Sequence, residues 1–329
     1  MEDVMRYFVT GGAGFIGSNY VRGLLSGKWG HDVSKITVFD AFTYAGNIHN
    51  LDECASDHRL HVVHGDICQP QEILQSLPGH DVIVHFAAES HVDRSIESSS
   101  VFMSTNVLGT HQLLEAALSL KISRFVHVST DEVYGSIETG SWDENEPLLP
   151  NSPYAASKAS SDLVARSYYR THGLNLSITR CSNNFGIYQY PEKVIPLFIT
   201  NLITGKNVPL YGDGLNIRDW LHVDDHCRGI DLVVDNGRAG EIYNIGGGTE
   251  LTNRDLTFLL LEKCGFDEKK VDWVEDRLGH DRRYSVNWKK IQNELGYAPH
   301  HTIQSSISDI VAWYTSNPQW WEPLRNKAK

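Results

Sequence analysis

Tyr154 and Lys158 stand four residues apart in Tyr154-Ala-Ala-Ser-Lys158, and on a helix that spacing puts phenol and ammonium on one face. A phenol beside a fixed cation gives up its proton more easily, so Tyr154 is a candidate base toward a hydroxyl, with its pKa expected to fall. A lone Tyr/Lys pair is also common on plain helix surfaces. The second candidate group is Thr130, Asp131 and Glu132, within Ser129-Thr-Asp-Glu-Val-Tyr-Gly135. Adjacent carboxylates often do no more than cap a helix or solvate a turn. Beside a site of oxidation, however, one carboxylate can remove a proton while the other donates one, as β-elimination of water requires.

These side chains need a scaffold, and its first element is legible at the N-terminus. The apolar stretch Tyr7 to Thr10 runs into Gly11-Gly12-Ala13-Gly14-Phe15-Ile16-Gly17 and then a helical pattern. Glycines at 11, 14 and 17 allow a tight turn and bring backbone N–H groups and a helix N-terminus close to a pyrophosphate. Asp40 ends the next strand-like run, where a carboxylate accepts from adenosine ribose hydroxyls and repels a 2′-phosphate. NAD is therefore expected, in preference to NADP. Asp66-Ile67 after the third strand and Ala87-Ala88-Glu89 after the fourth fall at the same crevice.

Strand-length apolar runs recur at Ile36 to Asp40, Leu60 to His64, Asp81 to His85, Arg124 to Ser129 and Leu176 to Arg180. Long helical patterns cover Val101 to Ser119 and Tyr154 to Thr171. This alternation predicts an α/β fold, a Rossmann-type doubly wound parallel sheet. Past about residue 181 the rhythm gives way to turns such as Tyr211-Gly-Asp-Gly214, predicting a smaller C-terminal α/β substrate-binding lobe. The division expected is 1–181 for the NAD-binding domain with the catalytic residues, and 182–329 mainly for the lobe, partly interleaved with the first.

The chain has 329 residues, 41% hydrophobic and 21% charged, enough for a sizeable core. A net charge of −12 disfavours a nucleic-acid partner but leaves room for a small anion held by a few cations. No uncharged apolar run reaches membrane-spanning length, so no membrane partner and a cytoplasmic location are expected. Five widely spaced cysteines, without a C-x-x-C pair, read as reduced thiols. His58, His61 and His64 have the composition of a metal cluster, but on a strand His61 and His64 face opposite ways, and no metal is expected.

With the glycine turn in front of it, Tyr-x-x-x-Lys resembles the short-chain dehydrogenase/reductase superfamily in its extended form. Thr10-Gly-Gly-Ala-Gly-Phe-Ile-Gly-Ser18 and Ala87-Ala-Glu-Ser-His-Val-Asp-Arg-Ser95, together with the Thr130-Asp131-Glu132 segment, closely resemble dTDP-glucose 4,6-dehydratases over nearly the whole chain. That resemblance implies a closed redox cycle on dTDP-glucose. Tyr154 takes the carbon-4 hydroxyl proton as hydride leaves to NAD, Glu132 takes the carbon-5 proton, Asp131 protonates the carbon-6 hydroxyl, and hydride returns to carbon 6. Thr130 would hydrogen-bond the sugar and Lys158 would orient the nicotinamide ribose.

The resemblance also implies cofactor contacts from Thr43, Ser90, Thr105 and Asn184, and substrate contacts from His91, Asn183, Lys193, Val194, Pro209, Tyr211, Arg218, Asn253, Arg277 and His280. Arginine forks match diphosphate oxygens well. Leu278 stands where the family usually has proline, and Phe185 and Ile187 where it commonly has tyrosine and proline; these touch loop stiffness and pocket lining more than chemistry. A homodimer through the helices Val101 to Ser119 and Tyr154 to Thr171 is implied, with Val107, Leu113 and Leu114 as candidate contacts. Nucleotide-sugar 4-epimerases and decarboxylases would share Tyr154 and Lys158 but need no elimination pair. A catalytically silent NAD sensor would need neither pair.

Overall fold

Tyr7, Phe8 and Val9 are wholly buried in β1 (Met5–Thr10), which lies inside a seven-stranded sheet. Along it follow β2 (Val33–Asp40), β3 (Leu60–His64), β4 (Val82–His85), β5 (Arg124–Thr130) and β6 (Leu176–Cys181). The structure, a computed structural model, describes residues 4–276 and 279–327. Beyond β6 come β7 (Asn183–Phe185), β8 (Val208–Tyr211), β9 (Ile217–His222), β10 (Ile242–Ile245), β11 (Glu250–Thr252) and β12 (Val271–Val274).

The sheet order is β10-β6-β5-β4-β1-β2-β3, every pair parallel. Parallel pairing needs crossovers on the faces, so both faces must be apolar. Alternation along the strands supplies this: Val9, Val38, Val84 and Val126 face one layer with helices Phe15–Leu25 and Val223–Asn236. Phe8, Ile83 and Phe125 face the other, against Leu113, Leu114, Ala165 and Tyr168. The doubly wound Rossmann-type sheet expected is therefore present. β10 returns to this sheet from far along the chain, beside β6.

Helix Pro153–His172 carries the Tyr/Lys pair. Pro153 opens it, the Ser152 hydroxyl accepts from Ala155 N at 3.1 Å, and Gly173 closes it at φ 69°. The other long helix departs from expectation: Met103–Gly109 is a π-helical stretch between Ser99–Phe102 and Thr110–Ser119. Inside it, Asn106 donates to Glu89 O at 2.9 Å and Ser157 Oγ at 2.8 Å and accepts from Glu89 N at 2.8 Å. Leu113 and Leu114, expected at a dimer face, are instead fully buried between this helix and the sheet. The neighbouring apolar side chains that do face outward are Val101, Met103, Leu108 and Leu163.

The lobe pairs β7 and β11 with β9, and β8 with β12, over a separate core of Phe185, Phe198, Trp220, Leu256 and Ile307. Tyr314 and Trp321 close this core from the C-terminal helices.

Candidate active site

At the carboxyl ends of β1, β2, β4, β5 and β6, where ligands bind in open α/β sheets, lies a cavity of about 440 Å³. Gly11, Gly14, Phe15, Ile16, Gly17, Asp40, Thr43, Asp66, Ile67, Ala87, Ala88, Ser90, Thr105 and Asn184 all line it. Gly11 has φ +67°, and a Cβ there would come within 2.6 Å of Ala87 N. A Cβ on Gly17 would meet Gly11 O at 2.3 Å, so turn and helix approach only because both lack side chains. Asp40 is fixed rim-side by Ala13 N at 2.9 Å and Phe42 N at 2.8 Å, while burial pushes its carboxyl up. Asn184 spends its amide inside the protein, on Ser182 O at 3.0 Å, Cys181 Sγ at 3.4 Å and His226 Nδ1 at 2.9 Å.

Thr130, Asp131, Glu132, Tyr154 and Lys158 line the same cavity. Thr130 ends β5 and caps the short 3-10 helix Asp131–Tyr134, its hydroxyl accepting from Glu132 N at 3.3 Å. The same hydroxyl lies 3.4 Å from Asp131 Oδ1, while Asp131 Oδ2 is buried with no hydrogen-bond partner among the described residues. Burial, the Glu132 charge and Asp219 push the Asp131 carboxyl well above the usual range, which favours its protonated form. Lys158 Nζ donates to Val128 O at 2.8 Å and burial pulls it down to about 8. Burial, then Glu132 and Cys181, push the Tyr154 phenol up, before any nicotinamide charge acts on it. Desolvation and the neighbouring acidic groups outweigh the Thr130 hydrogen bond, which acts in the lowering direction.

The substrate candidates divide. Asn183 and Lys193 line the cavity; Asn183 Oδ1 is buried and unpartnered, and Lys193 Nζ reaches Ser90 O at 2.9 Å. His91 lies just outside, its Nε2 3.8 Å from Glu192, and Val194 opens helix Val194–Ile203. Arg218 is buried on β9 with its guanidinium 4.3 Å over the Tyr284 ring and donates to Ile217 O and Asp281 O. It is close enough to draw the Asp131 carboxyl downward, against the larger effects that raise it. Pro209 and Tyr211 lie on β8, with Tyr211 edge-on to His280 at 6.4 Å. His280 Nδ1 meets Asp276 at 2.6 Å, and the backbone N–H of Asn253 donates to Asn216 O at 2.9 Å. Arg277 and Leu278 lie outside the described residues. Of the three histidines weighed as ligands, His58 stands 3.8 Å from Asp57, His61 is exposed on β3 and His64 packs edge-on to Phe42.

The family described as GDP-mannose 4,6 dehydratase matches residues 8–310. A dTDP-glucose 4,6-dehydratase of an Actinoplanes strain is 56% identical over 319 residues, covering 96% of this chain and all of that protein. The chain belongs to the dTDP-glucose 4,6-dehydratase family. A solved dTDP-glucose 4,6-dehydratase of Streptomyces venezuelae, with NAD bound, superposes with a TM-score of 0.96 at 59% identity, covering 97% of this chain and 100% of the other. A UDP-glucose 4-epimerase of Thermus thermophilus shares the fold at TM-score 0.86 but only 28% identity, over 95% and 100% of the two chains.

Several residues at this dehydratase site were not singled out by motif. Asn106 ties the Ala88-Glu89 loop to the catalytic helix, and Ser95 Oγ accepts from Tyr154 N at 3.1 Å. Ser182, Gln189, Tyr190 and Glu192 line the cavity without belonging to any spacing pattern. Asp219, buried on β9, accepts from Ser182 Oγ at 2.6 Å and from two glycine-loop backbone donors, Gly247 N and Thr249 N. Only the double appearance of asparagine at 183 and 184 hinted at that wall.

Proposed function

We propose that this chain is an NAD-dependent dTDP-glucose 4,6-dehydratase, forming dTDP-4-keto-6-deoxyglucose by oxidation at carbon 4, loss of water across carbons 5 and 6, and hydride return to carbon 6. The observation that carries it is Asp131: a buried carboxyl, one oxygen unpartnered among the described residues, pushed toward its protonated form beside Glu132 and Tyr154 in the lining of the cavity. An epimerase has no use for a poised acid of this kind.

The glycine turn that a Cβ would fill, with Asp40 at its rim, fits a dinucleotide without a 2′-phosphate. When bound, NAD supplies a place for the carbon-4 hydride to go and come back from. Everything else is done by side chains. Thr130 hydrogen-bonds the Tyr154 phenol and can pass to the sugar hydroxyl, while Tyr154 receives the carbon-4 hydroxyl proton as that carbon becomes a ketone. The cofactor's positive charge, added to Lys158, is what would offset the upward push on the phenol. The ketone acidifies the carbon-5 proton, which Glu132 removes, and Asp131 gives its proton to the leaving carbon-6 hydroxyl, releasing water. Glu132 then returns its proton to carbon 5 as carbon 6 is reduced, and the Tyr154 and Asp131 proton inventories are restored from solvent and product exchange. Lys158 orients the nicotinamide ribose. Asn183, Lys193, Arg218 and His280, with His91, Val194, Pro209, Tyr211 and Asn253, are the residues we assign to the nucleotide-diphosphate wall; Arg277, assigned there by resemblance, lies outside the described residues.

We assign residues 1–181 to the cofactor-binding and catalytic domain and 182–329 mainly to the lobe, with 223–245 returning to the sheet as helix Val223–Asn236 and β10. The exposed Leu108 and Leu163 on adjoining helices support a homodimer through a four-helix contact. A cytoplasmic setting is in keeping with five free thiols. Among the described residues no helix is long and apolar enough to cross a membrane.

The test is incubation of the purified protein with dTDP-glucose and no added NAD, followed by alkali, under which the 4-keto-6-deoxy product develops its ultraviolet absorbance. Recovery of a 4-epimer, or of unchanged substrate, would sink the reading; parallel turnover of UDP- and GDP-glucose ranks the bases.

A further inference from the structure

Beneath Lys158 lies a buried charge cluster that the reaction sequence above does not use. Asp162 follows Lys158 by one helical turn and is 1% exposed; Lys158, Arg180 and His127 are 4%, 3% and 0% exposed. Arg180 Nε donates to Asp162 Oδ2 at 2.9 Å, and His127 Nε2 lies 3.3 Å from Asp162 Oδ1. On its far side, Arg180 Nη1 donates to Tyr134 OH at 2.7 Å, and Tyr134 donates to Asn244 Oδ1 at 2.9 Å. The cluster thus bridges the catalytic helix, β5, β6 and β10.

We propose that Asp162 is a positioning residue for this reaction, the buried counter-charge shared by Arg180 and Lys158, acting on the chemistry through Lys158. This rests on the dehydratase reading above.

Charge accounting leads to it. A buried cation needs a compensating charge or it gives up its proton. The Lys158 ammonium donates to a neutral carbonyl, Val128 O, so its counter-charge must act through space. The titratable groups facing it are Asp162 on its own helix, His85 from β4, His127 from β5 and Cys181 from β6. Burial pushes the Cys181 thiol up, holds His85 down and holds His127 at about 4, so all three are neutral near pH 7. Tyr154, beside it on the helix, is pushed up and neutral as well. Asp162, held down to about 2, is the remaining anion of the set, and it already serves Arg180. Of the two cations only the lysine can shed its proton in the working range. Burial pulls Lys158 down to about 8, and Asp162 is the charge that draws it back up.

The experiment uses the holoenzyme as purified and two opposed variants. Asp162→Asn keeps the shape but removes the counter-charge, so Lys158 loses its proton at lower pH. The basic limb of the kcat profile should then move down by about one pH unit or more, a tenfold rate loss at pH 8 that largely recovers at pH 6.5. Arg180→Gln removes the competing cation and should move that limb the opposite way. A second readout needs no turnover. Lys158 titrates lower folded than unfolded, so between the two values the unfolded chain binds more protons and stability rises with pH. Lowering the folded value further makes the Asp162→Asn stability deficit, from urea midpoints, largest near pH 6 and smaller at pH 8. A deficit in rate and stability that is the same at every pH, or limbs of both variants moving together, would overturn the proposal and leave Asp162 a structural ion pair. If the wild-type protein makes no 4-keto-6-deoxy sugar, the reaction reading fails instead, while the stability comparison still decides the role of Asp162. Should Asp162→Asn not fold, the upward move in Arg180→Gln decides it, an unmoved limb refuting the sharing.

Discussion

Asp131 keeps one carboxylate oxygen 3.4 Å from the Thr130 hydroxyl and the other buried without a partner among the described residues. A group so placed is poorly solvated as an anion and well suited as an acid. Its neighbour Glu132 raises it further, since adjacent like charges cannot both ionise cheaply. In the proposed reaction these adjacent carboxyls take different roles, Asp131 as acid and Glu132 as base.

Asp131→Asn should slow water loss by about 10² to 10⁴ while sparing oxidation at carbon 4. The amide keeps the side chain's size but has no acidic proton, and Tyr154, Lys158 and the cofactor pocket are untouched. In stopped flow with dTDP-glucose, reduced-cofactor absorbance should rise and decay slowly. Tyr154→Phe should show no rise. Normal turnover by the first variant would remove Asp131 from the mechanism.

The same variant should be more stable than the wild type, by about 0.5–2 kcal/mol at pH 7. The sign follows from linkage. The folded Asp131 value lies above the unfolded one, so the native state binds more protons between them, and wild-type stability drains away as pH rises through the folded value. Asparagine does not titrate. The gap in urea midpoints should therefore be small at pH 4 and widen toward neutrality; a gap that narrows with rising pH would show that Asp131 is ionised at rest.

Gly11→Ala should empty the cofactor cavity. Its φ of +67° strains any side chain, and the new Cβ would sit 2.6 Å from Ala87 N, a backbone atom that can yield only by moving the whole loop. We expect wild-type protein to release about one NAD(H) per chain when denatured, and the variant about tenfold less, which from near-full occupancy means about a hundredfold weaker binding, roughly 2.8 kcal/mol of lost affinity. Cofactor content equal to wild type would mean that the turn does not hold the pyrophosphate.

Leu108→Glu combined with Leu163→Glu should convert a dimer into a monomer in light scattering at micromolar concentration. These side chains are 59% and 56% exposed in one chain, so a charge there costs the monomer little and a self-complementary apolar contact a great deal. Leu113→Glu should instead damage folding, because that side chain lies in the core. A wild-type protein that is already monomeric would dispose of the dimer.

What the sequence determined by itself is local and periodic. Glycine spacing after an apolar strand, a carboxylate ending the next strand, alternating apolar runs and the i,i+4 Tyr154/Lys158 pair all depend on short-range geometry, and such geometry is written in neighbouring residues. The first six strands, the helix of the Tyr/Lys pair and the glycine turn with Asp40 at the cavity follow from them; Thr43, Ser90, Thr105 and Asn184 came only with the family resemblance. The tertiary structure decided what depends on distant partners. It made Leu113 and Leu114 core residues, because a helix turn can face a sheet or a solvent with the same sequence, and it broke their helix with a π stretch at Asn106 to hold a loop from β4. It brought β10 back beside β6 and set Asp219 and Arg218 near Asp131. It set the upward push on Tyr154, since burial and the number of charges within reach belong to no stretch of sequence and arise only when β5, β6 and the helix Pro153–His172 close on one another.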